Sequence, residues 1–125
     1  MKTGGPSWGR LAKRTRRGFR GYPLGTLAFY GPSNEYASKV AVGIILRRDS
    51  DPADMKRWYA RDCDVRQDPA IAEEIWEYLR SHAALTVVMP RGIIGCPHEE
   101  GIEYPAGGPC PLCPFWEGRD RWKEV

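Results

Sequence analysis

Three of the chain's four cysteines and one of its two histidines fall in residues 95–116, which read GCPHEEGIEYPAGGPCPLCPFW. Cys96 and His98 make one close pair and Cys110 and Cys113 a second, with eleven residues between the pairs. Zinc takes four thiolate or imidazole ligands in a tetrahedron, often delivered as two close pairs from turns. The two-residue gap between Cys110 and Cys113 lets one tight turn aim both sulfurs at a single point. Pro97, Pro109, Pro111 and Pro114 flank the ligands, fixing φ and removing backbone donors, so the loop is partly pre-shaped. The spacing predicts one structural Zn2+ held by Cys96, His98, Cys110 and Cys113, closing a zinc-binding loop over 95–116.

Other readings of these residues are weaker. No secretory leader is legible at the N-terminus, so a reducing, cytoplasmic setting is expected, which disfavours disulfides. A redox Cys-x-x-Cys pair would need a strand–helix context that does not precede Cys110. His98-Glu99-Glu100 followed by Pro109-Cys110-Pro111-Leu112-Cys113 also matches the H-x-E and P-C-x-x-C halves of zinc nucleobase deaminases, with Glu100 as the proton carrier. Residues 101–109, with two prolines and three glycines, are too few to hold the helix and strand that separate those halves. Cys96 as a fourth ligand would also close the position a catalytic water needs. Glu99 and Glu100 are instead expected in solvent or supporting His98 from behind. The Cys110-Pro111-Leu112-Cys113 turn resembles the knuckles of zinc ribbons and rubredoxin-like sites, which implies a metal and no particular function.

Charge is divided unevenly along the chain. Residues 1–34 carry Lys2, Arg10, Lys13, Arg14, Arg16, Arg17 and Arg20 and no acid, whereas the remainder holds 12 basic and 16 acidic side chains. With 125 residues and 42% apolar composition the chain suits one modest domain. No apolar run is long enough to span a bilayer.

Residues 1–21 contain only Trp8, Leu11 and Phe19 as large apolar groups and read as a basic N-terminal arm, with docking of that arm on its own domain as the alternative. Residues 22–94 read as an α+β domain. Within it, 23–30 is a strand ended by Gly31-Pro32-Ser33-Asn34. In the strand over 37–48, Val40, Val42, Ile44 and Leu46 share one face, and the small Ala41 and Gly43 leave room on the other. A third strand, 55–61, turns Trp58 inward and Arg57, Tyr59 and Arg61 outward. Ion pairs from that stripe to Asp49, Asp62 or Asp64 are the alternative to a binding role. Cys63 stands alone and reads as a small buried hydrophobe.

Asp68 caps the main helix, with Pro69 in its first turn and Ile71, Ile75, Tyr78 and Leu79 on one face. His82 falls at its end as a capping or partly buried group. Residues 85–89 form a short buried strand, and 92–94 lead into the zinc loop. Phe115 and Trp116 are expected to shield the sulfurs, and 117–125 is a polar tail anchored by Trp122. The whole is an α+β fold: a small, mostly antiparallel sheet, one main helix and a C-terminal zinc-binding loop.

The basic segment points to nucleic acid, RNA or an RNA-containing complex before duplex DNA, because the acidic main helix suits no major groove. Arg14, Arg16, Arg17, Arg20, Arg57 and Arg61 would meet phosphates, and Tyr59 or Phe19 would stack on bases. The alternative is a protein-interaction subunit of a larger assembly. No nucleophile–base pair or open metal site supports an enzyme, and the deaminase-like pattern stands as the remaining enzymatic alternative.

Overall fold

The computed structural model describes residues 5–90, 92–99, 102–103, 110–113 and 115. Glu100, Pro109, Trp116, and the 117–125 tail with Trp122 lie outside the described residues. Among the described residues the chain runs α1 (Gly5–Arg16), β1 (Leu24–Tyr30), β2 (Lys39–Ile45), β3 (Asp54–Tyr59), a short 3-10 helix (Val65–Gln67), α2 (Pro69–Ser81), β4 (Thr86–Val88) and β5 (Ile93–Gly95). This is an α+β fold. No helix among the described residues is long and apolar enough to cross a membrane.

The three long strands form an antiparallel meander in the order β3-β2-β1. Alternation along β2 explains its place at the centre. Val40, Val42 and Ile44 are buried on the side where the helices pack, and Ala41 and Gly43 face the other way. Regular pairing ends at Ile45, which leaves Leu46 exposed. On β3, Trp58 turns inward and donates from Nε1 to Glu74 of α2 at 3.0 Å.

The sheet is mixed rather than wholly antiparallel, because β4 and β5 both pair parallel to β1. β4 meets its first half, Leu24 to Thr26, and β5 its last two residues, Phe29 and Tyr30. The two short strands thus act as one interrupted edge strand, prolonged by Gly31 N–H donating to the Gly95 carbonyl at 2.9 Å. Parallel pairing needs a long crossover, and α2 supplies it.

The segment expected as an arm is helical over Gly5–Arg16, so there are two α-helices among the described residues. Trp8 and Leu11 enter the same core as Leu27, Phe29, Val40, Ile75 and Leu79. That shared cluster places both helices on one face of the sheet. Trp8 Nε1 donates to the Asp68 carbonyl at 2.9 Å, and its ring packs against Phe29. Asp68 Oδ1 accepts from the Ala70 and Ile71 amides, with Pro69 in the first turn, so α2 starts where its capping chemistry predicts. Gly25 lies where α2 crosses β1, and a Cβ there would collide with the Leu79 side chain.

Asp64 holds the connection between β3 and α2. Its Oδ2 accepts from the Ala37 amide at 2.9 Å and from Arg66 Nη2 at 2.6 Å, and its Oδ1 from the Arg66 amide and Nε. Burial raises the Asp64 pKa, but these donors outweigh it and the net shift is downward.

Candidate metal centre

β5 ends at Gly95, so its next residue, Cys96, emerges at the end of the sheet where β1 exits and β2 begins. Cys96, Cys110 and Cys113 are buried together, apart from the main core. Each of Cys96, His98, Cys110 and Cys113 offers one ligand atom, and these atoms all lie within 4.8 Å of one another. The quartet expected from spacing is therefore gathered at one point. All four cysteines of the chain are free thiols, so no disulfide competes for them.

The geometry suits a tetrahedral ion. Bonds of about 2.0–2.1 Å to nitrogen and about 2.3 Å to sulfur put the two ligand atoms roughly 3.6 Å apart. His98 Nδ1 lies 3.4 Å from Cys110 Sγ and 3.5 Å from Cys113 Sγ. The imidazole thus presents Nδ1 to the centre. The Cys113 amide donates to the Cys110 carbonyl at 3.4 Å, closing the turn between those ligands.

Without a cation, ionising these thiols is costly. Burial, reinforced by the Cys96 and Cys110 sulfurs, pushes the Cys113 thiol up to about 12. Burial likewise raises Cys96. Three buried sulfurs pointing at one another cannot all ionise unless positive charge sits among them, which one metal ion supplies. Four protein ligands fill a tetrahedron and reserve no position for a substrate water.

Behind the centre lies a support that spacing did not reveal. The Lys39 side chain is only 3% exposed. Its Nζ donates to the Pro97 carbonyl at 2.9 Å and to Glu99 Oε2 at 3.0 Å, one partner on each side of His98. Arg57 grips the same carboxylate, Nε lying 2.7 Å from Oε2 and Nη2 3.3 Å from Oε1. The Lys39 hydrogen bond leads in holding the Glu99 carboxyl below its ordinary range, and the two positive charges and Arg57's own bond add to it against a burial penalty. The available signal was strand parity, since Lys39 shares a face with Ala41 on β2, but its partners lie 58 and 60 residues away.

The expected nucleic-acid contacts fall into two groups. Arg16, Arg17 and Arg20 are exposed along and just beyond α1, as is Lys13, which was not among those expected. Arg10 and Arg14 lie over the Trp76 ring at 5.2 and 5.6 Å, Arg10 also pairs with Glu73, and Arg14 donates to the Ala84 carbonyl. Arg10, Lys13, Arg14, Arg17 and Trp76 line a groove of about 330 Å³. On the opposite face of the sheet Tyr59 is exposed, while Arg57 is engaged by Glu99 rather than by Asp49, Asp62 or Asp64. β3 ends at Tyr59, so Arg61 lies beyond the strand expected to carry it, exposed in the following bend.

Two further groups resolve simply. His82 C-caps α2, stacks edge-on against Tyr78 and places Nε2 3.3 Å from Asp54, well away from the cysteines in the fold. Cys63 is half-buried and stands outside the ligand cluster. Comparison with protein-family models, with curated proteins and with solved structures finds no match to this chain.

Proposed function

We propose that this chain is a small zinc-stabilised protein that binds RNA, with the outer face of α1 as its principal contact. The observation that carries the reading is the distribution of charge on that helix. Its inner residues, Trp8 and Leu11, are buried in the core. Its outer side presents Lys13 and Arg16, with Arg17 and Arg20 following, Arg10 and Arg14 lie along its flank against Trp76, and α1 contains no acidic residue. Docking fixes the backbone before any partner arrives, so less ordering entropy opposes binding than for a free arm.

Each cation placed against a phosphate releases a condensed counterion, which favours a polyanion over small acidic groups. Phe19 is 64% exposed and Tyr59 61% exposed, and rings so presented suit unstacked bases of single-stranded RNA. Tyr59 extends the contact to the other face of the sheet, with Arg61 exposed just beyond its strand. Zinc is the ion favoured by three thiolates and one imidazole in a closed tetrahedron, and its role here is structural.

A docking role in a larger assembly draws on exposed tryptophans. Among the described residues, Trp8 and Trp58 are buried and Trp76 is half-covered, so none of these three offers an exposed ring for that alternative. The deaminase-like zinc-enzyme alternative would need an open position at the metal, which Cys96 would fill as a fourth ligand.

The test is binding of a fluorescein-labelled oligouridylate, followed by anisotropy across a salt series. Affinity should fall steeply with salt. Replacing Lys13, Arg16 and Arg17 together by alanine should flatten the log–log slope by about 2, at about 0.7 per lost cation on a single strand. Absence of binding at low salt, or a slope unchanged by the triple substitution, contradicts the reading.

A further inference from the structure

Lys39 and Arg57 form a constellation that the RNA-binding face of α1 does not use. The strand register sets Tyr30, Lys39 and Tyr59 side by side across β1, β2 and β3. The Lys39 ammonium lies 5.4 Å from the Tyr30 ring centre and 5.7 Å from that of Tyr59. Arg57 is two residues before Tyr59 and so shares its face. Tyr30, Lys39 and Arg57 border a cleft of about 260 Å³ that Cys96, His98 and Glu99 of the loop also line.

A buried ammonium must find acceptors, because desolvation otherwise disfavours it strongly. Among the described residues Lys39 Nζ has two hydrogen-bond acceptors, the Pro97 carbonyl and the Glu99 carboxylate, and both belong to the loop that carries His98. Arg57 meets that carboxylate through Nε and Nη2, the forked geometry that a guanidinium offers equally to carboxylate and phosphate. The cation pair and the tyrosines beside it belong to the sheet, and Cys96, His98 and Glu99 of the loop close the other side of the cleft. The anion comes from the loop, and the loop is held by the metal ligands on both sides of Pro97.

We propose that Lys39 and Arg57 are an oxyanion-binding site for a phosphate group, which the metal-tied loop keeps filled with its own carboxylate, Glu99. While the metal holds Cys96 and His98, Glu99 stays seated and the site is closed to outside anions. When the metal leaves, the loop loses its tether, Lys39 loses both acceptors, and a phosphate takes the place of the carboxylate. The proposal rests on the RNA reading only for the source of that phosphate, a diester of the polymer or a free ion. The site itself stands on the geometry.

The experiment follows the Arg57 Nε–H resonance by NMR in the full-length chain, titrated separately with inorganic phosphate and with a short oligouridylate. In the zinc-loaded wild type the resonance should stay in place with inorganic phosphate. In zinc-loaded Glu99→Ala, and in chelator-treated wild type, it should move and saturate. Adding Lys39→Met to Glu99→Ala should weaken that response several-fold. Glu99→Gln, which keeps the side chain's shape, guards against a loop disturbed by truncation and should respond in the same direction. A tighter response to oligouridylate than to inorganic phosphate names the polymer as the source, and equal responses name the free ion.

An Arg57 resonance that ignores both probes in Glu99→Ala and Glu99→Gln overturns the proposal. So does a zinc-loaded wild type that responds to inorganic phosphate as strongly as the variants. The alanine substitutions on α1 should not alter the inorganic-phosphate response, so failure of the RNA reading and failure of this site are read separately.

Discussion

The indole Nε1 of Trp8 donates to the backbone carbonyl of Asp68 at 2.9 Å, across 60 residues of chain. The same Asp68 caps α2 with its side chain. One residue therefore starts the second helix and anchors the first, and this contact presents the basic side of α1 as a fixed surface.

That anchoring sets an order of energies. Trp8→Ala removes a large buried ring and should cost about 3–5 kcal/mol. Trp8→Phe keeps most of the apolar contact but loses the donor, and should cost about 1 kcal/mol or somewhat more for the orphaned carbonyl. Urea denaturation of the two variants measures both. A Trp8→Ala chain as stable as the wild type would mean that α1 is not part of the core.

Asp68→Ala should destabilise by about 1 kcal/mol through loss of the bonds to Ala70 and Ile71. Asp68→Asn should stay close to the wild type, because asparagine caps about as well. The Trp8 bond is to a main-chain oxygen and survives both changes. Thermal melts of the pair check this.

How much of this was legible depends on range. The Asp68-Pro69 start of α2, the alternation of Val40, Val42 and Ile44 and the inward turn of Trp58 are written in neighbouring residues, and the metal quartet is written in the spacing of two close pairs. α1 is poor in apolar residues and has Gly5 and Gly9 within it, so its local pattern resembles a solvated arm. Trp8 and Leu11 carry its only strong signal, and their burial depends on α2 and β1 far along the chain. β5 is three residues long, too short to show a period. The parallel pairing of β4 and β5 with β1 is likewise non-local. Arg57 has nearby acids in sequence, but the sheet brings Glu99 to it from 42 residues away.

Stability should respond to acid through Asp64. Its folded-state pKa is depressed, so its contribution is complete above the ordinary carboxylate value of about 3.9 and is lost as pH falls through the lower folded value. Asp64→Asn should therefore cost about 1–3 kcal/mol at neutral pH. The gap to the wild type should narrow below about pH 4. Denaturant titrations at several pH values test the sign, and a gap that widens in acid would contradict it.

Removing the metal should lower the melting temperature, because a structural ion's binding energy is part of the folding energy. Amide exchange should accelerate at residues 95–99 and 110–113 while the Val40, Val42 and Ile44 amides of β2 keep their protection. Melting and exchange left unchanged after confirmed metal loss would deny the centre a structural role.

The most direct measurement is the metal content of the purified full-length chain by native mass spectrometry, with its thiols counted in the same sample. One zinc ion per chain is expected, lost when Cys110 and Cys113 are both replaced by serine. A wild-type chain without metal, or one with a sulfur–sulfur bond among Cys96, Cys110 and Cys113, would contradict the account.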